Sequence, residues 1–455
     1  MLKQYLDSLR GRRVAVLGIG VSNTPLIELL ASEGISVTAC DKKEREQLGR
    51  QAEQLERLGV KLRLGSGYLD GLSADIIFRT PGLRPDIPAL ERARAAGAEI
   101  TSEMEKFFDL CPCPIVAVTG SDGKTTTTSM IAEMLRAAGR RTWLGGNIGN
   151  PLLCSLPEMT PEDICVVELS SFQLMTMRRA AAVAVVTNVS PNHLDIHRDM
   201  DEYIAAKRNV FLAQQPGDRV VLNMDNEITR GFAADAASHV RFFSAHSRPQ
   251  DGVYLEDGVI YDNGERILAA SELRVLGAHN AENFMAACCA LRELVPRETM
   301  AEVGRSFPGV EHRLEFVREL GGVKYYNDSI GTSPNRTMAG LSCFDSPLVL
   351  IAGGYDKHIP FDELGEEIAK KVRLLLLCGA TADKIEAAVA AAPSYAAGKP
   401  EMRVFSELSE AVRAARELAR AGDTVLFSPA CASFDQFPNF SARGKFFKDQ
   451  VNKLV

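Results

Sequence analysis

The sequence predicts an α/β fold in which parallel sheets are covered by helices. Three times a β-branched apolar strand runs into a glycine turn and then a helix-like stretch, in RRVAVLGIGVSNTPLIELLAS, PIVAVTGSDGKTTTTSMIAEML and PLVLIAGGYDK. Between these restarts, apolar runs such as DICVVELSSF, AVAVVTNVS and DTVLFSPA alternate with helical stretches, a pattern typical of buried parallel strands. With 455 residues, the chain is long enough for about three domains of ~150 residues each.

Two breaks in this pattern predict domains at residues 1–102, 103–309 and 310–455. The first break precedes EMEKFFDLCPCP, whose two prolines interrupt the chain before the second glycine turn. The second break falls in SFPGVEHRLE, where proline and glycine end a helix-rich region.

Composition excludes several classes of function. The formal net charge is −7 and no run rich in Lys and Arg is present, which argues against a nucleic-acid partner. No window approaches the ~18 apolar residues of a membrane span, and the first residues are polar and charged, unlike a signal peptide. The ten cysteines lack paired CxxC spacing, so we expect reduced, mostly buried thiols in a cytoplasmic protein, rather than a metal site or disulfides.

The first glycine turn, in VAVLGIGVSN, is similar to a dinucleotide-binding fingerprint. Gly18 and Gly20 are present and Asp41 follows the next strand, but Asn23 stands in place of the third glycine. A lone GxG is weak evidence for NAD. An NAD-dependent dehydrogenase therefore remains a weak alternative, and the glycines could be purely structural.

The second glycine turn, in VTGSDGKTTTT, is a candidate phosphate-binding loop. Backbone N–H groups at a helix N-terminus attract anions, and a lysine there can reach the outer phosphates of a nucleotide. Val118 stands where the strict GxxxxGK[ST] pattern has its first glycine, so a tight turn with a chance lysine remains an alternative. The residues expected to hold ATP and reach magnesium are Gly120, Ser121, Asp122, Gly123, Lys124, Thr125 and Thr126.

Chemically useful side chains end the next two predicted strands. Glu168 ends VVELSSF, and His193 and Asp195 follow AVAVVTNVS. In a parallel sheet these positions lie on the same edge as the phosphate loop. Magnesium prefers oxygen ligands, so Glu168 fits as a ligand and His193 as a weaker or second-sphere one. Either residue alone is more often structural than catalytic, but the two together at strand ends favour a metal–phosphate site.

Several motifs, taken together, resemble the Mur ligase family. They are TGSDGKTT, GGNIG, ELSSFQL, NHLDIH and AAKRNVF, followed by EHRLE, NDSIGTSP and SPACASFDQFPNFSARGKFF. The resemblance runs from about residue 14 to the end of the chain. It implies an N-terminal Rossmann-like domain for a uridine nucleotide, a central P-loop-type mononucleotide-binding ATPase domain and a C-terminal Rossmann-like domain for an amino acid.

The resemblance implies an ATP-dependent, amide-forming ligase of cytoplasmic peptidoglycan precursor synthesis, and hence a role in cell wall, cell shape and cell division. The third-domain motifs imply that D-glutamate is added to UDP-N-acetylmuramoyl-L-alanine through an acyl phosphate, by a monomer that uses two magnesium ions. The implied catalytic residues are Lys124, Glu168, His193 and Lys207, with a carbamylated Lys207 joining Thr125, Glu168 and His193 in binding metal.

The resemblance also assigns binding residues. For ATP it adds Asn280, Asn283, Arg313 and Asp328 to the phosphate loop. For the UDP group it implies Gly20, Val21, Ser22, Asp41, Lys42, Thr80, Pro81 and Gly82. For the sugar-peptide it implies Asn147, Gln173 and His193, and for D-glutamate Thr332, Lys357, Ser433 and Phe440.

One position departs from the resembled family. Where D-glutamate ligases commonly read DSKAT, this chain reads DSIGT, so Ile330 replaces a lysine near the amino acid. An apolar side chain cannot pair with a carboxylate, and we hypothesise that Arg336, six residues later in SPNRT, supplies the charge. Two alternatives follow: a Mur-type ligase for another amino acid, or a non-catalytic nucleotide-binding regulator.

Overall fold

The computed structural model of the chain describes residues 1–194, 196–344, 348–396 and 398–455, so Asp195 lies outside the described residues. It confirms the predicted α/β class with mostly parallel sheets. The chain divides into two compact units. The first comprises Met1–Leu273 and His279–Arg305, and the second Arg274–Ala278 and Ser306–Val455.

The first sheet of the first unit is parallel, with the order β3-β2-β1-β4-β5. Its strands are β1 (Val14–Leu17), β2 (Val37–Asp41), β3 (Lys61–Leu64), β4 (Ile76–Arg79) and β5 (Glu99–Thr101). The helices along this stretch are α1 (Leu2–Ser8), α2 (Thr24–Ser32), α3 (Arg45–Leu48), α4 (Arg50–Arg57), α5 (Pro88–Ala95) and α6 (Glu103–Leu110). Val16 and Leu17 join different apolar clusters, so both faces of the sheet are covered.

The second sheet of this unit has the order β14-β13-β12-β11-β10-β9-β6-β8-β7. Its strands are β6 (Ile115–Thr119), β7 (Thr142–Gly146), β8 (Ile164–Glu168), β9 (Val183–Val186), β10 (Arg219–Asn223), β11 (His239–Ser244), β12 (Gly252–Glu256), β13 (Val259–Asp262) and β14 (Glu265–Ala269). The helices are α7 (Lys124–Ala137), α8 (Ser171–Leu174), α9 (Met200–Arg208), α10 (Glu227–Gly231), α11 (Ala278–Leu291) and α12 (Arg297–Ser306), with 3₁₀ turns at Leu153–Glu158, Phe232–Asp235 and Ala270–Glu272.

Strand β6 lies at the point where the order of this sheet reverses. The next strands along the chain, β7 and β8, lie on one side of it, and β9 and β10 on the other. Ligands of open α/β sheets bind beyond the carboxyl ends of the strands at such a point. The loop that follows β6 is the predicted phosphate loop.

The two sheets of the first unit share one apolar cluster. It extends from Val16 and Phe78 in the first sheet through Phe107 on α6 to Cys165 and Val186 in the second. This shared core explains why the two sheets form one compact unit.

The second unit contains one sheet with the order β15-β16-β20-β17-β18-β19, in which only the β15–β16 pairing given for the described residues is antiparallel. Its strands are β15 (Glu315–Leu320), β16 (Val323–Asn327), β17 (Leu348–Ala352), β18 (Val372–Cys378), β19 (Glu401–Phe405) and β20 (Thr424–Phe427). Its helices are α13 (Pro334–Leu341), α14 (Asp362–Lys371), α15 (Ala382–Ala390), α16 (Leu408–Leu418) and α17 (Phe440–Asn452). Within the described ranges of the chain, no helix has the length and apolar character needed to cross a membrane.

Candidate active site

The predicted phosphate loop is a tight turn between β6 and α7. Gly120 and Gly123 have φ angles of +151° and +79°, which L side chains rarely adopt. A Cβ atom at Gly120 would overlap Thr187 Oγ1, and one at Gly123 would overlap Asn283 Oδ1. The glycines therefore let the backbone approach its neighbours closely, and the first turn of α7, whose backbone N–H groups point toward the loop end of the helix, follows directly.

Oxygen and amide groups from three elements meet beside this loop. Thr125 Oγ1, in the first turn of α7, donates a 2.7 Å hydrogen bond to Glu168 Oε2 at the end of β8. Asn147 Nδ2 donates to Glu168 Oε1 at 2.8 Å. Glu168 is buried. Hydroxyl and carboxylate oxygens are the donors that Mg²⁺ prefers, so this pair fits a magnesium ion bound beside nucleotide phosphates.

Two lysines approach the loop from different elements. Lys124 Nζ donates to the Ser121 carbonyl at 2.9 Å, and Lys207 Nζ, on α9, donates to the Gly120 carbonyl at 2.6 Å. Lys207 is only 1% exposed, and its Nζ lies 4.5 Å from the centre of the Tyr203 ring. Burial, and then the charge of Lys124, hold the pKa of Lys207 well below 10.5, against the opposing effect of Asp122.

The predicted nucleotide segment on α11 contacts the same loop. Thr127 Oγ1 donates to Asn283 Oδ1 at 3.3 Å, and Asn283 Nδ2 donates to Asn280 Oδ1 at 3.1 Å. Both asparagines are buried. The structure therefore brings Asn280 and Asn283 beside the helix that carries Lys124.

The two histidines of NHLDIH occupy different environments. His193 is exposed, has a φ of +56°, and its ring meets the Phe172 ring edge-on at 5.1 Å. His197, which sequence reasoning did not single out, is buried and stacks on Phe172 at 5.2 Å. Its Nε2 lies 2.9 Å from Ser171 Oγ, and burial lowers its pKa. His197 therefore packs against α8, while the metal role of His193 stays a prediction.

A cavity of about 310 Å³ lies between the first sheet and the second sheet of the first unit. Five residues predicted to bind substrate line it: Val21, Ser22, Pro81, Asn147 and Gln173. The lining also includes residues that were not predicted, namely Asn23, Arg79, Ser102, Glu103, Met104, Gly146, Gly149 and Pro151. Gly20, Asp41, Lys42, Thr80 and Gly82 are not among the lining residues.

Hydrogen bonds to the backbone hold Asp41, which does not line the cavity, and Asn23, which does. Asp41 is buried, and its two carboxylate oxygens accept hydrogen bonds from the Ile19 and Lys43 backbone N–H groups at 2.6 and 2.9 Å. Asn23 Nδ2 donates to the carbonyls of Leu17 and Gly18. Both side chains thus shape the first glycine turn. Their partners are backbone groups, which the sequence pattern does not reveal.

Arg79 is the most buried charged residue of this cavity wall, with 1% of its surface exposed. Its guanidinium donates to the carbonyls of Thr80, Pro81 and Leu83 and, across the cavity, to the Phe172 carbonyl and Thr176 Oγ1. Burial lowers its pKa. Arg79 therefore joins the RTPGL loop to the region of α8. The sequence did indicate one relevant feature, which is that Arg79 ends strand β4, at the edge of the sheet where ligands bind.

Gln173 has a local role in addition to lining the cavity. Its Oε1 accepts from the Ser170 backbone N–H at 2.9 Å and from Ser170 Oγ at 3.0 Å, while Ser170 Oγ caps α8. This capping box fixes the start of α8, and with it the position of Gln173 in the wall.

In the second unit, the predicted nucleotide residue Asp328 follows β16. Its Oδ2 accepts from Ser428 Oγ at 2.7 Å and its Oδ1 from the Leu314 N–H at 3.2 Å. Burial raises the pKa of Asp328 to about 6, opposed by these hydrogen bonds and by the charges of Arg313 and Arg336. Arg313 is therefore close enough to Asp328 to interact electrostatically.

Residues predicted to bind the amino acid lie on neighbouring loops of the same unit. Lys357 Nζ donates to the Thr332 carbonyl at 2.9 Å. Burial lowers the pKa of Lys357, and Arg443 and Arg336 add to this effect. Arg336 is exposed in the first turn of α13. Its charge thus acts on Lys357, as expected if both face one anionic ligand.

The remaining predicted residues of this unit, Ser433 and Phe440, belong to the segment that contains the buried Arg443. Ser433 is buried, whereas Phe440 is partly exposed at the start of α17 and its carbonyl accepts from Ser329 Oγ at 2.8 Å. Arg443 donates to Ser329 and to the carbonyls of Cys431 and Ala432, and burial lowers its pKa to about 10. Arg443 lies in the motif SPACASFDQFPNFSARGKFF, but the sequence pattern did not predict a role for it.

Three family models match the chain in the order of its sheets. They are described as the Mur ligase MurD-like N-terminal domain (residues 12–102), the Mur ligase middle domain (118–291) and the Mur ligase glutamate ligase domain (312–431).

Two relatives that match this chain over nearly its whole length have the same name. A UDP-N-acetylmuramoylalanine–D-glutamate ligase of Clostridium novyi (strain NT) is 50% identical over 452 residues, covering 99% of each chain. The ligase of the same name from Acetivibrio thermocellus is 50% identical over 461 residues, covering 100% of this chain and 99% of the relative.

Solved structures show the same fold at low identity. The UDP-N-acetylmuramate–alanine ligase of Thermotoga maritima has a TM-score of 0.61 at 19% identity, covering 97% of this chain and 99% of the other. A pseudomurein peptide ligase type C from Methanothermus fervidus has a TM-score of 0.54 at 18% identity, covering 98% and 100%.

Proposed function

The chain belongs to the Mur ligase family, and we propose that it is the member that joins D-glutamate to UDP-N-acetylmuramoyl-L-alanine with ATP. The observation that carries this assignment is 50% identity, over nearly the whole length of both chains, to ligases of that name. The contact of Thr125 with Glu168 beside the phosphate loop supports an ATP-using site in this chain.

The reaction proceeds in two balanced steps. A carboxylate oxygen of the alanine attacks the γ-phosphorus of ATP, the bond from that phosphorus to the β–γ bridging oxygen breaks, and ADP leaves. The amine of D-glutamate then attacks the carbonyl carbon of the acyl phosphate, inorganic phosphate leaves, and the nitrogen loses a proton. Phosphorylation is needed because a carboxylate oxygen is otherwise a poor leaving group.

The residues beside the phosphate loop have different roles in this reaction. The N–H groups at the start of α7 and Lys124 bind the phosphates and offset their charge. Thr125 and Glu168 would hold Mg²⁺, which neutralises charge on the transferring phosphoryl group when bound. Asn147 orients the Glu168 carboxylate through its 2.8 Å hydrogen bond. His193 and a second magnesium ion belong to the same proposal.

Lys207 is proposed to act as a carbamate. Its amine attacks CO₂ and loses one proton, which converts a cation into an anion near the loop. Only a neutral amine is nucleophilic, and the lowered pKa of Lys207 favours that form. The 2.6 Å contact with the Gly120 carbonyl keeps the nitrogen at the loop.

The substrates are assigned to separate parts of the chain. The 310 Å³ cavity with Ser22, Pro81 and Gln173 suits part of the UDP-sugar. Further residues proposed for the UDP group are Gly20, Val21, Asp41, Lys42, Thr80 and Gly82. In the second unit, Thr332, Arg336, Lys357, Ser433 and Phe440 are proposed for D-glutamate, and Arg313 and Asp328 for ATP.

The proposal also includes the organisation of the protein. It keeps domains at 1–102, 103–309 and 310–455, a cytoplasmic location and a monomeric state. The proposed order of the three domains follows the order of the three matched family models along the chain.

The direct test measures phosphate release from ATP with UDP-N-acetylmuramoyl-L-alanine and a panel of amino acids. Release that requires both the nucleotide sugar and D-glutamate supports the proposal. Release with a different amino acid would assign another ligase activity, and release that ignores the nucleotide sugar would refute both. Lys124→Met should abolish the signal, whereas Lys61→Met, a change at an exposed lysine, should not.

A further inference from the structure

Three cysteines form a compact group at the edge of the second sheet opposite the phosphate loop. Cys111 follows the last residue of α6, Cys113 precedes β6, and Cys165 is the second residue of β8. Phosphate-loop residues follow the carboxyl end of β6, whereas these cysteines lie where β6 and β8 begin. The group is therefore separate from the proposed ATP site.

The three sulfur atoms define a nearly equilateral triangle. Sγ–Sγ separations are 3.6 Å for Cys111–Cys113, 3.7 Å for Cys111–Cys165 and 3.4 Å for Cys113–Cys165. By plane geometry, the centre of this triangle lies about 2.1 Å from each sulfur, close to the ~2.3 Å metal–sulfur bond of thiolate sites. A single ion slightly out of this plane can therefore bond all three sulfurs without a large movement.

The donor set around the triangle is soft. Met159 Sδ lies 3.7 Å from Cys165 Sγ and adds a thioether. Among the residues that the structure describes, no carboxylate or imidazole joins the group as a ligand. Asp163, whose charge acts on Cys113, already accepts hydrogen bonds from Trp143 Nε1 and Thr160. Thiolate and thioether ligands bind Cu(I), Zn²⁺ and Fe–S clusters. Structural zinc sites use four Cys or His ligands and no thioether, so a set that includes Met159 favours a Cu(I)-like ion.

A cavity lies beside residues that adjoin the group. A cavity of about 820 Å³ is lined by Pro112, which lies between two of the cysteines, and by Leu110 and Met159. Cys111 is half-buried, whereas Cys113 and Cys165 are buried. The site thus combines an accessible rim with two enclosed ligands.

We propose that Cys111, Cys113 and Cys165 form a binding site for one soft metal ion of the Cu(I) class, with Met159 as a fourth sulfur donor. Each coordinating thiol releases its proton, and the ion binds in the Cu(I) state with no change of oxidation state. Binding joins the end of α6 to the first residues of β6 and β8. Sequence spacing did not indicate this site because Cys165 lies more than fifty residues from the other two.

The test is an anaerobic titration of the reduced, full-length protein with Cu(I) held by a competing chelator. Thiolate-to-copper absorption and the metal that remains with the protein after gel filtration report the stoichiometry. We expect one tightly held equivalent, and at least roughly ten-fold weaker binding in Cys111→Ser. Cys343→Ser, which changes a cysteine of the second unit, should bind like the unaltered chain.

Cys111→Ser is chosen because its side chain is half-buried, and retained D-glutamate-dependent phosphate release would show that this variant folds. Cys113→Ser provides a second test within the triangle. The proposal fails if no equivalent binds, if Cys111→Ser and the unaltered protein bind equally, or if Zn²⁺ binds in preference to Cu(I). Formation of a disulfide within the group in place of metal uptake would also overturn it.

Discussion

The chemistry proposed for Lys207 depends on a buried amine whose hydrogen bond goes to the Gly120 carbonyl. Replacing it by alanine should lower ligase activity by roughly 100-fold or more, because the anionic group near the loop is lost. Acetate or formate should restore part of the activity in Lys207→Ala by occupying the space of the carbamate. Steady-state rates with and without the added carboxylate measure this effect.

The control for this experiment is Lys61→Ala, which removes an exposed lysine and should leave the rate unchanged. Full activity of Lys207→Ala would contradict the carbamate proposal. Loss of activity without rescue, together with an unchanged Km for ATP, would limit Lys207 to a packing role.

Glu103 gives the protein a testable pH dependence. It is buried in the cavity wall and accepts from the Leu153 N–H at 2.9 Å, and burial raises its pKa from 4.5 to about 7. Because the pKa of Glu103 is higher in the folded than in the unfolded state, the contribution of Glu103 to the free energy of unfolding is greatest below pH 4.5. This contribution falls as the pH rises toward about 7. Glu103→Gln should remove this loss, which amounts to about 3 kcal/mol at most.

The measurement is the difference in Tm between Glu103→Gln and the unaltered protein at pH 5 and at pH 7.5. Titratable groups that both proteins share affect both Tm values alike, so their effects cancel in the difference. The variant should gain relative stability at the higher pH. Glu133→Gln, which alters a largely exposed carboxylate paired with Arg136, serves as the control. A Tm difference that does not change with pH would refute the prediction.

Arg336 is expected to replace the family lysine that is absent at Ile330. Its charge acts on Lys357 and on Asp328, which places it near the proposed amino-acid pocket. Arg336→Ala should raise the Km for D-glutamate roughly ten-fold or more, with the Km for ATP unchanged, because a charge-assisted contact is lost. Arg413→Ala, at an exposed position on α16, should change neither constant, and an unaltered Km for D-glutamate in Arg336→Ala would refute the prediction.

At the residue scale, what could be predicted depended on the type of partner. Gly120, Lys124 and Glu168 could be predicted from the sequence, because a glycine turn marks the first two and the end of an apolar strand marks the third. Lys207 was assigned only through the family resemblance, since its spacing suggests an exposed helical lysine. Arg79 and Arg443 were missed because most of their partners are backbone carbonyls, some of them distant in sequence.

The start of α7 is the element on which nucleotide binding depends most. Gly123 and Gly139 flank this helix with almost equal left-handed φ angles, +79° and +76°. A Cβ at Gly123 would overlap Asn283, whereas a Cβ at Gly139 would meet open space. Gly123→Ala should therefore raise the Km for ATP and lower kcat far more than Gly139→Ala, which imposes the same backbone strain alone.

Steady-state kinetics and thermal unfolding of the two variants distinguish the effects. Both should lose some stability, of order 1 kcal/mol, from the strained φ angle. Equal kinetic effects of the two changes would show that the contact with Asn283 does not position the loop.

At the element scale, the antiparallel edges were not predicted although their signals were present. Strands β12, β13 and β14 are joined by Asp257-Gly258 and Asn263-Gly264, and β15 and β16 by Gly321-Gly322. All six residues have positive φ, as type I′ hairpin turns require. The buried parallel strands were easier to recognise because their apolar runs are continuous.

At the scale of the whole molecule, the sequence predicted three domains built on parallel sheets but not which sheets share a core. Ser102 caps α6 immediately after β5, close to the predicted boundary. The apolar cluster that joins Phe78 to Cys165 nevertheless crosses that boundary. Such contacts depend on the packing of distant residues, which local periodicity cannot specify. The boundaries at 102 and 309 remain predictions.

The central claim is that the γ-phosphate of ATP passes to a carboxylate, and oxygen labelling tests it most directly. UDP-N-acetylmuramoyl-L-alanine carrying ¹⁸O in both alanine carboxylate oxygens is converted with ATP and D-glutamate, and the released phosphate is analysed by mass spectrometry. One ¹⁸O atom should appear in each phosphate, with the other retained in the new amide carbonyl. Amide formation with unlabelled phosphate would contradict the acyl-phosphate route.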